Sequence, residues 1–336
     1  MSDHEDSEPP DRFDYSGYLL FEPFQTKVQG RLDASSIENV EDEIGRSLPT
    51  FERGSPESPG NGFEIMDIEK NVEELTFPGQ ELNFEDVISF KHSRESFELM
   101  EVYEDGEYVE APTVSINSVD VYWKYPSFMY IRGSKVECKE TFSRLRNLFV
   151  DSLYIKRTNF EPEFLMWLFY KHYQNKSAGK IEIDRLHDAV LSGEVDEFGS
   201  ENKITESANL LSSSTLLTGL LHGKDLTEIE GGFKHNTGIV RVSIKNDRVH
   251  IKSSGMISHQ SPVERISTAV SFLTDLCNTY SNWADLPHQD KYPPPQFFRE
   301  VYQDALENGI EVKSISSEVL QRYANLRGED WDQIDE

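Results

Sequence analysis

The chain has 336 residues, enough to bury at least one full core and, on length alone, to form two domains. Its formal net charge is −28 with a hydrophobic share of 37%, and its longest apolar run, Phe164 to Tyr170, is far too short to span a bilayer. Two cysteines, Cys138 and Cys277, are too few for a zinc site of their own, and their places on apolar helix sides predict buried, reduced thiols in a cytoplasmic protein. The acidic N-terminus has no basic segment leading into an apolar run, so no secretory signal is expected.

The charge is unevenly placed. Residues 1–112 carry 29 acidic and 8 basic side chains, whereas residues 113–290 carry 22 and 20. An acidic first third on a balanced body has two physical readings. Adaptation to concentrated salt predicts acidity over the whole exposed surface; the other reading is an acidic region that covers, or competes for, a basic surface elsewhere in the chain.

In chain order, residues 1–12 contain Pro9-Pro10 and nothing to bury, and disorder is expected. Residues 13–112 read as an acidic β-rich region with a linker over 45–62, where prolines, glycines and serines gather. Within it, Tyr15 to Val28 predicts an extended segment. Phe97 to Tyr103, the turn Glu104-Asp105-Gly106-Glu107 and Tyr108-Val109 predict a hairpin with acidic outward positions.

An α+β body is expected over 113–286. Val119 to Tyr125 and Phe128 to Arg132 predict a second hairpin turning at Pro126-Ser127. Ser134-Lys135-Val136-Glu137 then fits a capping box ahead of Cys138, Phe142, Leu145, Leu148 and Phe149 at helical spacing. Leu153 to Thr158 predicts a strand, and Pro162 to Tyr173 a helix apolar on all sides that must be buried. Thr205 to Leu221 predicts a helix, and Gly231-Gly232 a turn. Residues 287–336 form a proline-rich connection and a helical extension, with helices over Gln296 to Asn308, stopped by Gly309, and Ser317 to Leu326. The fold class is therefore α+β, antiparallel hairpins packed with helices.

The strongest local signal spans Gly238 to Tyr280. Ile239 to Lys252 alternates apolar and polar on both sides of Asn246-Asp247, a two-residue turn that sets the register. Lys245 then faces Arg248, Ser243 faces His250 and Arg241 faces Lys252, while Val240, Val242, Ile244, Val249 and Ile251 share the core face. Like-charge cross-strand pairs are unfavourable unless something anionic relieves them. Ser261-Pro262-Val263-Glu264 is a second capping box, opening a helix through Tyr280. Strand, strand, capped helix thus occurs twice, a pattern compatible with structural duplication.

The candidate anion-binding residues are Arg241, Lys245, Arg248, His250 and Lys252 on the hairpin, and Lys135, Lys139, Arg144 and Arg146 outward on the first capped helix. With Tyr122, Trp123, Tyr125 and Tyr130 nearby they would suit a nucleic acid, charge meeting phosphate and rings meeting bases; the competing reading makes the rings core. An acidic protein surface, or the chain's own N-terminal region, would satisfy the same cations. No phosphate-cradling loop, nucleophile elbow or zinc-protease helix occurs, and the histidines are scattered singly.

The enzymatic fragment is Asp120 with Glu137-Cys138-Lys139. It resembles in outline the acidic residue plus Glu-x-Lys pattern of restriction-endonuclease-like nucleases; the resemblance implies two carboxylates holding Mg²⁺ and a lysine that orients water. It requires Glu137 on a strand, where the capping box would start a helix. The sequence expectation is thus a non-enzymatic interaction protein needing no cofactor, with a metal-dependent nuclease or a structural subunit as alternatives.

Overall fold

The structure, a computed structural model, describes residues 18–30, 37–66, 68, 82, 84, 86–104, 106–196, 199–207, 210–235, 238–310, 312 and 314–330. The expectation of disorder over 1–12 falls outside these. The chain divides into two compact units, Met1–Arg157 with Gln260–Val270, and Thr158–His259 with Ser271–Glu336.

The first unit contains strands β1 (Leu19–Val28), β2 (Asn61–Ile65), β3 (Val87–Glu104), β4 (Glu107–Lys124), β5 (Phe128–Arg132) and β6 (Leu153–Arg157), and helices α1 (Ile37–Ser47) and α2 (Lys135–Leu148). The strands run β2-β3-β4-β5-β1, with β6 also on β1, and all these pairs are antiparallel. The core gathers Phe24, Phe63, Phe90, Val121, Trp123 and Ile131 with Cys138 and Leu145 of α2. Helix α1 adds Val40 and Ile44, with Leu48 just past its end, one narrow stripe at four-residue spacing in an acidic run, and so was not expected from hydrophobic density.

Two sequence divisions are corrected here. The boundary at 112/113 falls inside β4, where Pro112 pairs with Leu99 and Thr113 with Glu98; the two expected hairpins share this strand and form one meander. The linker over 45–62 is a shaped wall. Gly45 to Ser47 end α1, Asn61 and Gly62 open β2, and the buried Glu95 carboxylate collects the amides of Gly54 (2.7 Å) and Gly60 (2.8 Å). A Cβ on Gly60 would lie 2.2 Å from the Glu52 carbonyl oxygen, so close backbone approach selects glycine where composition suggested flexibility.

The second unit contains β7 (Glu182–Asp196), β8 (Gly199–Ile204), β9 (Asp225–His235), β10 (Gly238–Lys245) and β11 (Arg248–Ile251) in the antiparallel order β11-β10-β9-β7-β8. Its helices are α3 (Pro162–Tyr173), α4 (Ser214–Leu221), α6 (His288–Lys291), α7 (Pro295–Glu307) and α8 (Ser317–Arg327); α5 (Pro262–Ala284) has its later residues here and its first in the other unit. As expected, Phe164 to Phe169 of α3 are all buried. Residues 205–207 are not helical, and α4 is preceded only by a 3-10 turn over Leu210–Ser212.

Strands β7 to β9 had not been anticipated. Bulges along β7 break its alternation, and Gly231-Gly232, expected as a turn, lies within β9. A Cβ on Gly231 would sit 2.3 Å from the Arg185 carbonyl oxygen, so the pair marks close strand approach. Helices α7 and α8 are integral to this unit: Arg322 of α8 donates to Glu163 (2.6 Å) and Asp225 (2.6 Å). Among the described residues no helix is long and apolar enough to cross a membrane. The architecture is α+β, and the order strand, strand, capped helix is present twice, as β4-β5-α2 and β10-β11-α5.

Candidate anion-binding site

The β10–β11 hairpin forms in the expected register, Lys245 against Arg248 and Ser243 against His250, with Val240, Val242, Ile244, Val249 and Ile251 fully buried. The backbone amide of Lys252 donates to the Arg241 carbonyl at 2.8 Å, continuing the pairing. What changes the electrostatics is β9 on the other side of β10. Glu230 reaches Arg241 at 2.8 Å and Lys252 at 3.2 Å, and Glu228 reaches Lys245 at 2.9 Å while accepting from the Ser243 hydroxyl at 2.7 Å. The relief sought from an external anion is thus supplied within the sheet. Burial, then the Lys252 charge, depresses the His250 pKa.

The nuclease fragment is not assembled. Asp120 and Arg132 are cross-strand partners on β4 and β5, and the Asp120 carboxylate accepts from the arginine Nε at 3.0 Å. Glu137 sits on α2, its Oε2 accepting from the Ser134 amide at 2.9 Å in the capping box. On a helix, residues two apart point about 200° away from each other, so Glu137 and Lys139 do not converge as they would on a strand. Among the described residues no group of three or more His, Cys, Asp or Glu is placed to hold a metal ion. Tyr122, Trp123 and Tyr130 are core, at 0–1% exposure, and offer no ring for stacking. Both cysteines are buried and outside any disulfide, and burial pushes the Cys277 thiol up.

The remaining cations meet in a cleft of about 630 Å³ along α2. Lys135, Lys139 and Arg144 line it from the helix and Arg94 from β3; Glu140 is the carboxylate among the lining residues and is held by Arg94 at 2.6 Å. Half-buried Arg144 lies 6.0 Å from the Phe63 ring, and its Nε is buried without a hydrogen-bond partner. Lys139 is exposed and has no carboxylate partner among the described residues. Arg146 lies outside the lining, its guanidinium 5.8 Å from Phe142.

His92 forms the floor, a residue that a lone histidine in a polar run gave no reason to select. Its Nδ1 meets Thr141 Oγ1 at 2.8 Å, its Nε2 meets Asn61 Oδ1 at 2.9 Å, and its ring stacks on Phe63 at 4.6 Å. Burial, then the Arg144 charge, lowers its pKa to about 4, so the imidazole is neutral at pH 7. The unfolded chain takes up this proton near pH 6.5 and the folded chain only near 4, so stability is retained above that window and falls with acid through it. His92→Gln is expected to remove about 2 kcal/mol of the stability lost between pH 7 and 5, read from urea midpoints at the two pH values.

No protein-family model matches the chain, and no curated protein matches its sequence.

Proposed function

We propose that the chain is a non-enzymatic interaction protein of a reducing cytoplasm whose α2 cleft binds an anionic segment, specifically an acidic stretch of protein. The observation that carries this reading is the gathering of Lys135, Lys139 and Arg144 along one cleft in a chain that is otherwise strongly acidic. A carboxylate entering the cleft would meet the exposed Lys135 and Lys139 ammonium groups beside the Arg144 guanidinium. Nucleic acid is the weaker reading, because Tyr122, Trp123 and Tyr130, three of the four aromatic residues that would stack bases, lie in the core and Tyr125 is half-buried.

A net charge of −28 repels any anion at long range, whereas the cleft acts at contact. Screening over about 8 Å at physiological salt removes the first effect before the second. Affinity for a labelled polyglutamate peptide, followed by fluorescence anisotropy, is therefore expected to peak at intermediate ionic strength. Lys135→Glu with Lys139→Glu should weaken it roughly tenfold or more. Arg241→Gln with Lys245→Gln should leave it unchanged, since β9 already neutralises those cations.

Residues 1–17, with six acidic side chains and Arg12, are a built-in competitor whose removal should tighten binding. The cut must stop there, because deleting residues 1–112 would remove β1 to β3 and part of β4. Tighter binding of a single-stranded oligonucleotide than of the peptide would transfer the reading to nucleic acid. No binding of either at any ionic strength would overturn it.

A further inference from the structure

The β3–β4 hairpin continues well past the rest of its sheet. From Phe97 to Val114 its two strands have no neighbour other than each other among the named strands, and Leu99, Tyr103 and Tyr108 are 64–73% exposed. The register puts Phe97, Leu99, Tyr103, Tyr108 and Val114 on one face with Glu101 directly opposite Glu110. Tyr103 and Tyr108 meet edge to face, with centroids 5.1 Å apart. From Glu95 to Trp123 the sequence has eight acidic residues and no lysine or arginine. A two-stranded ribbon is marginal in water by itself, and exposed apolar side chains, with Met100, Val102 and Val109 on the opposite face, mark a contact surface.

We infer that this ribbon docks in the α2 cleft of a second copy of the chain, making a head-to-tail contact; the inference rests on the proposed function of that cleft. Charge complementarity selects the occupant. Ribbon against ribbon would crowd Glu101 and Glu110 of both copies, whereas the cleft presents Lys135, Lys139 and Arg144, with Arg94 held by Glu140. The ribbon is also an acidic segment that this chain itself exposes. It cannot serve its own cleft: nine residues separate Arg94 from Tyr103 along β3, about 30 Å of extended strand directed away from the site. A heterologous contact of this kind leaves one ribbon and one cleft free in each dimer, so association continues to higher species unless the geometry closes a ring.

Sedimentation of the full chain is expected to show mass rising with concentration at about 0.15 M salt, where mutual repulsion of the acidic bodies is screened. Tyr103→Ser with Tyr108→Ser should abolish this with the fold intact, and so should Lys135→Glu with Lys139→Glu. The decisive sample is the equimolar mixture. One variant keeps its cleft and the other its ribbon, so the mixture should give a dimer and nothing larger. A full chain that stays monomeric up to about 100 μM, or a mixture that stays monomeric, overturns the inference. Association lost in the ribbon variant but kept in the cleft variant overturns it too. Polyglutamate binding by the cleft, measured separately, survives such a failure and keeps the two readings distinguishable.

Discussion

Phe164→Ala is expected to destabilise the second unit by about 3–5 kcal/mol. The side chain is fully buried on α3, its ring centroid 5.8 Å from Phe160, 5.0 Å from Tyr280 and 5.4 Å from Trp283. Removing it deletes the common member of an aromatic cluster and leaves a cavity whose walls come from α3, α5 and the segment before α3. These are held by backbone and polar contacts, among them the Tyr280 hydroxyl donating to the Asn159 carbonyl at 2.6 Å, so the gap closes poorly. Phe164→Leu, which keeps much of the volume, should cost less than half as much. Denaturant midpoints followed by tryptophan emission, with Trp167 and Trp283 in the affected cluster, check both; equal losses in the two variants would refute the packing account.

The second large effect separates two acidic residues that the nuclease reading had grouped. Asp120→Ala should cost about 3–5 kcal/mol, because it breaks the largely buried ion pair with Arg132, its partner across β4 and β5. Glu137→Ala removes one arm of an exposed capping box and should cost about 1 kcal/mol. Thermal unfolding of the two variants measures the difference directly. If loss of Glu137 unfolds the chain as readily as loss of Asp120, the assignment of Asp120 to a structural ion pair fails. Tyr122 adds a check on the same pocket: burial, then the Asp120 charge, raises its phenol pKa, so its hydroxyl stays protonated in any assay near neutrality.

What the sequence made legible follows the range of the interactions involved. The β10–β11 register was readable because Asn246-Asp247 sets it within two residues, and both capping boxes were readable because each is complete in four. The identity of the strand on the far side of β10 is decided elsewhere in the chain. With β9 unread, Arg241, Lys245 and Lys252 looked unrelieved, although Glu228 and Glu230 lie only 11 to 22 residues upstream of them. The cleft was half visible. Lys135, Lys139 and Arg144 repeat along one helix, whereas Arg94 and His92 join them only because β3, at 18 residues unusually long for a strand, pairs with β4 throughout and with β2 over residues 90–94. Charge composition misled most at 112/113, since acidity changed along a strand whose hydrogen bonding does not.

The stretch before β2 bears on how the cleft can vary. Inserting residues into an ordinary tether changes little, since closing a longer loop is cheap. Here Asn61, which meets His92 and lines the cleft, directly follows Gly60, whose amide is fixed by Glu95. An insertion or deletion between Gly54 and Gly60 therefore resizes the α2 cleft from behind, so this glycine- and proline-rich run governs the dimensions of the cleft.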